Sequence, residues 1–340
     1  MRRALVIERP GQLVLVEREP LVPGPGEVVI RPAFCGICGT DIELRDGLVD
    51  PAFVRYPLTL GHEWSGVIEA VGEGVTDVAQ GDRCVAECIV PCGHCPSCRA
   101  GATNVCTTYA ELGFTQEGGA SDQVVVPARL VHVLGPDVAL LDAALVEPTS
   151  VVMRGLEKAA PEPGERVLVI GDGTIGLLAA HLVGLWSPAE IVLLGRRSEQ
   201  AALAASVGAT RFTTDDAVAE GFDLVIEAAG VPETMTRAVG AARRGGRVLL
   251  LGLPAAGGTF ELPADLLVNN DLTLVASFGY TSAAWSRVVQ LINAGAIQPG
   301  LIVTHRFALA DHAAAFAALA RADGQRGKVM LELTSRPPSH

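Results

Sequence analysis

The stretch RVLVIGDGTIGLLAA, Arg166–Ala180, decides the fold. After Arg166 comes a continuous apolar run of the kind buried on both faces of a parallel sheet, and after Gly176 comes an Ala- and Leu-rich run of helical composition. Between them Gly171, Gly173 and Gly176 stand as GxGxxG, with Thr174 and Ile175 completing the spacing. Between a strand and a helix, the first two glycines let the backbone turn and approach a pyrophosphate, and the third lets the helix pack closely. The helix N-terminus then faces the phosphates. Asp172, inside the turn, is unfavourable beside phosphate unless its side chain points away. Out of this context the same glycines are only a Gly-rich turn.

Further apolar runs follow: EIVLL (190–194), DLVIEAAG (223–230) and RVLLLG (247–252), separated by helical stretches. Spacings of roughly 20 to 30 residues are what repeated βαβ units produce. Upstream of Pro163 short strand-like runs alternate with Gly and Pro turns, which predicts an irregular β-rich domain; beyond Tyr280 the pattern is helix-rich and ends in a strand-like GKVMLEL. The expected fold is α/β, a β-rich domain joined to a doubly wound parallel sheet.

Past the Gly-rich turn by about 20 residues, where an acid commonly accepts the ribose hydroxyls of NAD, IVLLGRRSEQ (191–200) offers Gly195 followed by Arg196 and Arg197. An acid there repels the 2′-phosphate of NADP. Gly195 removes that repulsion, and two guanidinium forks suit a phosphate. The reading is a dinucleotide site that takes NADP in preference to NAD; the bland alternative is two solvated arginines in a surface turn.

Composition narrows the function. With 340 residues and 49% hydrophobic residues the chain has material for about two cores, and Lys+Arg of 26 against Asp+Glu of 38 gives a net charge of −12. Arginines pair at 196/197 and 243/244 without forming a face, so neither nucleic acid nor an anionic membrane is an expected partner. The basic start MRRALVIERP loses its apolar run at Glu8, and no run of about 18 apolar residues follows, so the protein reads as cytoplasmic.

All eight cysteines lie between Cys35 and Cys106, a crowding that points to metal before disulfides. In CGHCPSCRAGATNVC, Cys92, Cys95, Cys98 and Cys106 can close a tetrahedron around Zn²⁺, a structural site without an open position; an iron–sulfur cluster uses similar ligands. CGICGTDIE (35–43), LGHEWSG (60–66) and LVEPTS (145–150) supply Cys38, His62 and Glu147, a thiolate, imidazole and carboxylate set suited to a zinc that keeps a fourth position for substrate. Singly, each of the three is more often ordinary core or surface. Cys35 with Cys38 forms CxxC, but the βαβ context of a redox dithiol is missing; Cys35, Cys84 and Cys88 read as small buried residues.

GICGTD, GHEWSGVIEAVGEGV, GDRC, the four-cysteine lobe, VEP, the Gly-rich turn, GVPE, SFGYT, and a THRF to GKV ending occur in one order. In that order they resemble the zinc-dependent medium-chain alcohol dehydrogenase family over essentially the whole chain, most nearly its polyol, threonine and secondary-alcohol branches. The resemblance implies a GroES-like catalytic domain (1–149 and 288–340) and a Rossmann domain (150–287). It implies two zinc ions per chain, with Cys38, His62 and Glu147 holding the catalytic one and Glu63 able to enter its shell. It makes Asp41 the carboxylate that orients His62, Thr40 the hydroxyl that takes the alcohol's proton, and Lys328 a contact of the pyrophosphate. Relatives often end a proton relay on His five residues after the zinc Cys; here Glu43 stands there, either as acceptor or as a solvated helix residue. The implied reaction is reversible hydride transfer between an alcohol and NAD(P), in a homotetramer or dimer. A zinc-free double-bond reductase and a zinc-ribbon binding protein are the competing readings. The pocket walls, from Asp46–Tyr56 and the region after Tyr109, leave the alcohol itself open.

Overall fold

In the computed structural model, residues 1–108, 110–215, 220–254, 258–321 and 323–333 are described; Tyr109 and the chain after Leu333 lie outside them. The chain forms two compact units. One comprises Met1–Glu147, Thr281–Arg321 and the chain from Lys328; the other comprises Pro148–Tyr280 and residues 323–327. The divisions at Glu147 and Tyr280 differ from the expected 149 and 287. Residues 323–327 rejoin the second unit because Gln200 hydrogen-bonds to both backbone groups of Arg326, which composition cannot show.

The second unit is built on six parallel strands in the order 211–213, 190–194, 166–170, 222–227, 242–250, 273–276. The order reverses between Arg166–Ile170 and Phe222–Glu227, and in open α/β sheets ligands bind outside the carboxyl ends of strands at such a point. Val167, Leu168, Val169 and Ile170 are all buried, so the apolar run is covered on both faces as its composition predicts. Gly171 follows with φ +118°, which a residue bearing Cβ rarely adopts, and leads into the helix Thr174–Val183. A Cβ on Gly176 would strike the Gly171 carbonyl oxygen, whereas one on Gly173 would meet nothing within 4 Å. The glycine that lets helix and strand close up and the glycine that leaves space in front of the turn are thus different residues.

The first unit centres on a seven-stranded sheet. Its long strand Glu27–Ile37 pairs antiparallel with Trp64–Val71, with Cys35 opposite Trp64, and with Lys328–Glu332, with Ile37 opposite Val329. The end of the long strand therefore lies beside the starts of both neighbours. Cys38 just after it, His62 and Glu63 just before Trp64, and Lys328 itself gather at one end of the sheet. Leu5, Ile7, Ile30, Trp64, Ile68 and Leu331 are among the side chains filling the core beneath. No described helix is long and apolar enough to cross a membrane.

Gly176→Ala places a methyl group against backbone that cannot rotate away, an overpacking cost of about 1–3 kcal/mol. The expected result is a lower thermal midpoint and weaker dinucleotide binding than in Gly173→Ala, whose added methyl group meets open space; equal midpoints for the two variants would refute this assignment.

Candidate active site

Cys38 is the N-cap of the helix Gly39–Asp46, in extended backbone, and its N–H donates to Asp41 Oδ2 at 2.9 Å. This reciprocal cap fixes the thiol before any ligand arrives. Cys38 Sγ lies 3.3 Å from His62 Nε2, and His62 Nε2 lies 3.9 Å from Glu63 Oε1. On its other side, His62 Nδ1 faces Asp41 Oδ1 at 3.6 Å, longer than a hydrogen bond; neither atom has another hydrogen-bond partner. Asp41 thus bonds firmly to the Cys38 backbone and stands beside the imidazole it was expected to orient. The Cys88 thiol donates to the His62 carbonyl, and the Phe114 ring lies 5.1 Å from the imidazole. Donor atoms of Cys38, Asp41 and His62 lie within 4.8 Å of one another, as do those of His62, Glu63 and Glu147. The structure brings together the expected thiol, imidazole and carboxylates.

The electrostatics of this cluster call for a cation. Burial raises the Cys38 thiol and the Asp41 carboxyl, and pushes Glu147 up to about 8. Burial opposes the charge on His62, yet Cys38 and Asp41 lift its pKa well above the usual range. Each direction describes acids too close together and too dry to ionise at once. A divalent cation removes that conflict, and one thiolate, one imidazole and carboxylates suit Zn²⁺, so the residues fit the metal.

Two residues of this region differ from the sequence-based picture. Lys328, expected at the pyrophosphate, is fully buried with its Nζ paired to Glu63 Oε2; burial opposes its charge, and Glu63, Cys38 and Asp41 together outweigh that and raise its pKa. The strand register explains the difference, because Lys328 starts a strand beside the end of Glu27–Ile37. Glu111 escaped sequence reading altogether. It is 7% exposed, burial pushes its carboxyl up to about 7, and His62 is the one charge acting against that rise. No motif marks it; only the fold brings it near His62. Glu43 is exposed on the helix and Thr40 is half-buried three residues earlier. Cys35, Cys84 and Cys88 are buried, as expected of small core residues.

In the cysteine lobe, Cys92 Sγ and Cys98 Sγ are 4.0 Å apart, and all four thiols lie within 4.8 Å of one another. That separation is far beyond a disulfide and near the edge of about 3.8 Å that a tetrahedron with Zn–S of about 2.3 Å requires. Backbone N–H groups of Cys92, Cys95, Cys98 and Thr108 each point at a cysteine sulfur at 3.4 Å. Such donors stabilise thiolates, and the lobe fits a closed structural metal site.

At the glycine turn, no side chain caps the helix Thr174–Val183, which leaves its first N–H groups for an anion. Asp172 turns away from the turn's open side. Its Oδ2 accepts from the backbone N–H groups of Arg196 and Arg197 at 3.1 and 3.2 Å, and its carboxylate takes the Arg197 guanidinium at 2.7 Å. Burial opposes ionisation, but the Arg197 hydrogen bond and charge hold Asp172 below the usual carboxylate range. A Cβ on Gly195 would meet Asp172 Cβ and Oδ2 at 2.6 and 2.7 Å, so Gly195 makes room for that carboxylate. The two arginines expected to face a phosphate differ: Arg197 is buried with its Nε and Nη2 engaged by Asp172, while Arg196 is exposed.

Residues 24–136 match the family described as the alcohol dehydrogenase GroES-like domain, and residues 141–332 the family described as the glucose dehydrogenase C-terminus. The L-threonine 3-dehydrogenase of Streptomyces avermitilis is 33% identical over 349 residues, 98% of this chain and 99% of that protein. A zinc-binding dehydrogenase from Sinorhizobium meliloti 1021, solved bound to NADP, superposes with a TM-score of 0.92 at 29% identity, covering 98% of this chain and 99% of that one. An alcohol dehydrogenase from Escherichia coli CFT073, solved with NADH, gives a TM-score of 0.90 at 30% identity, covering 98% and 99%.

Stability of the metal-free protein carries a sign that follows from the pKa directions. Between the usual carboxylate range and about 8, folded Glu147 holds a proton that the unfolded chain has released, and the raised His62 and Glu111 act in the same sense. The unfolded state then binds fewer protons, so stability falls as pH rises. After chelation the thermal midpoint is expected to drop from about pH 5 to about pH 8, and zinc loading to flatten that slope. A midpoint that rises with pH in the chelated protein contradicts the clustered arrangement.

Proposed function

The chain belongs to the zinc-dependent medium-chain alcohol dehydrogenase family, and on that premise we propose that it interconverts a secondary alcohol or polyol and its ketone with NADP as the preferred hydride carrier. It is an NAD(P)-dependent oxidoreductase acting on CH–OH. The observation that carries the reading is that the donors of Cys38, Asp41 and His62, and those of His62, Glu63 and Glu147, each gather within 4.8 Å, with His62 common to both sets. Two zinc ions per chain fit the two donor sets.

Cys38, His62 and Glu147 would hold the catalytic zinc, which would supply Lewis acidity toward the alcohol oxygen. The nicotinamide supplies the hydride acceptor, and the protein fixes the geometry. Asp41 keeps Cys38 aimed through its cap and presents a carboxylate to His62 Nδ1. Thr40, half-buried and two residues beyond Cys38, is the hydroxyl that relays the alcohol's proton, accepting it as its own passes on; Glu43 lies three residues on along the helix and is exposed. Lys328 pairs with Glu63 Oε2, and Glu63, beside His62, would be the further carboxylate available to the metal. A carboxylate rather than a thiolate at position 147 supports the polyol and secondary-alcohol classes.

The turn Gly171–Gly176, with Thr174 and Ile175 in the first helical turn, binds the pyrophosphate. Gly195 and Arg196 favour a 2′-phosphate, since Asp172 is neutralised by Arg197. A homo-oligomer is supported by the sheet edge at Thr273–Ala276, where Leu274 is exposed on a strand type usually covered on both faces and Val268 is 79% exposed nearby in sequence. Eight cysteines without a disulfide among the described residues support a reducing, cytoplasmic setting.

Cys38→Ser is expected to lower kcat by about a thousandfold, near 4 kcal/mol of barrier, while NADPH binding measured by fluorescence stays within about twofold. Near-normal turnover in that variant would remove the metal reading. Wild-type kcat/KM is expected to be higher with NADP than with NAD across a panel of secondary alcohols and polyols, and Arg196→Ala to lower the NADP value about tenfold, or 1.4 kcal/mol, with little effect on NAD.

A further inference from the structure

We propose that Arg326, delivered by the short return segment 323–327, is a specificity-determining residue that meets the 2′-phosphate of the dinucleotide together with Arg196 and the Nη1 of Arg197. The inference rests on the NADP preference argued above and names residues that the Gly195–Arg196–Arg197 stretch does not contain.

The first support is a latch. Gln200 is fully buried; its Oε1 accepts from Arg326 N at 3.1 Å, and its Nε2 donates to Arg326 O at 2.8 Å and to Asp172 O at 2.6 Å. One amide thus ties the backbone of Arg326 to the second residue of the glycine turn. A surface arginine needs no such anchoring. The amide fixes where the Arg326 side chain starts, beside the turn that carries the phosphates.

The second support is an orphaned donor. Arg197 is 8% exposed, its Nε and Nη2 are taken by Asp172, and its Nη1 has no hydrogen-bond partner among the described residues. A guanidinium N–H left bare in a buried place costs free energy that an incoming anion removes.

The third support is the local balance of charge. Burial lowers the Arg326 pKa first, Arg197 and Arg196 lower it further, and Asp172 acts against them. Cations thus crowd one another here, in a chain whose net charge is −12. A phosphate monoester of charge near −2 at pH 7 offsets that crowding, and the uncharged 2′-hydroxyl of NAD does not.

The test uses full-length, zinc-loaded protein and isothermal titration with adenosine 2′,5′-bisphosphate and with AMP, which differ by the 2′-phosphate alone. Wild type is expected to bind the bisphosphate more tightly. Arg326→Ala is expected to weaken bisphosphate binding about tenfold and AMP binding less than about twofold, with Arg326→Lys intermediate. Gln200→Ala is expected to act in the same direction, with thermal unfolding used to confirm that it folds; Arg326→Gln serves as a second substitution at the tested position. If wild type does not distinguish the two ligands, the NADP reading falls and this inference with it. If wild type prefers the bisphosphate and Arg326→Ala and Arg326→Gln keep the same ratio, the NADP reading stands and the role of Arg326 is refuted.

Discussion

Burial of several acids at one end of a sheet is the constraint on which the first unit depends. The long strand Glu27–Ile37 and its two antiparallel neighbours bring Cys38, His62, Glu63 and Lys328 to the same place, and Glu147 joins them. Each of these groups costs free energy to bury charged and alone. Lys328 offsets one of the negative charges, and the cap between Asp41 and Cys38 orders two more groups, but the remaining donors still sit at raised pKa values. The cluster is a place where local stability is given up for affinity toward a cation, which is a common relation between strained electrostatics and function.

The second unit solves the opposite problem. It must present positive charge to phosphates without losing its core to like-charge repulsion. Asp172, awkward on paper inside a phosphate-binding turn, turns back to the end of the strand Glu190–Leu194 and joins two backbone N–H groups with the Arg197 guanidinium. Gly195 is what makes this possible, because any side chain there would overlap the carboxylate. The glycine therefore acts twice, by omitting an acid and by making room for another that is already neutralised. Gln200 extends the arrangement to residues 323–327, far away in sequence.

Much of this was legible beforehand. The apolar runs from Arg166 onward gave parallel strands because covered strands need no polar face, and the GxGxxG spacing gave the turn because only glycine tolerates the Gly171 backbone and the close pass at Gly176. The thiol, imidazole and carboxylate at 38, 62 and 147 are too scattered for spacing to mark them, and it was the resemblance of the surrounding motifs that singled them out. Lys328 and Arg197 were placed differently from expectation for one shared reason. A long cation reads from sequence as reaching solvent or phosphate, and only the neighbouring strands reveal that a buried carboxylate is nearer.

By itself, then, the sequence determined the kinds of groups available, their order along the chain and the backbone freedom at the turn, since these follow from residue type and spacing. The tertiary structure alone decided which acid each cation meets. Glu63 with Lys328, Asp172 with Arg197 and Gln200 with Arg326 are set by strand register and by a returning segment, with partners from 25 to 265 positions apart. Glu111 comes near His62 for the same reason, and its raised pKa follows from burial and from nothing written around it.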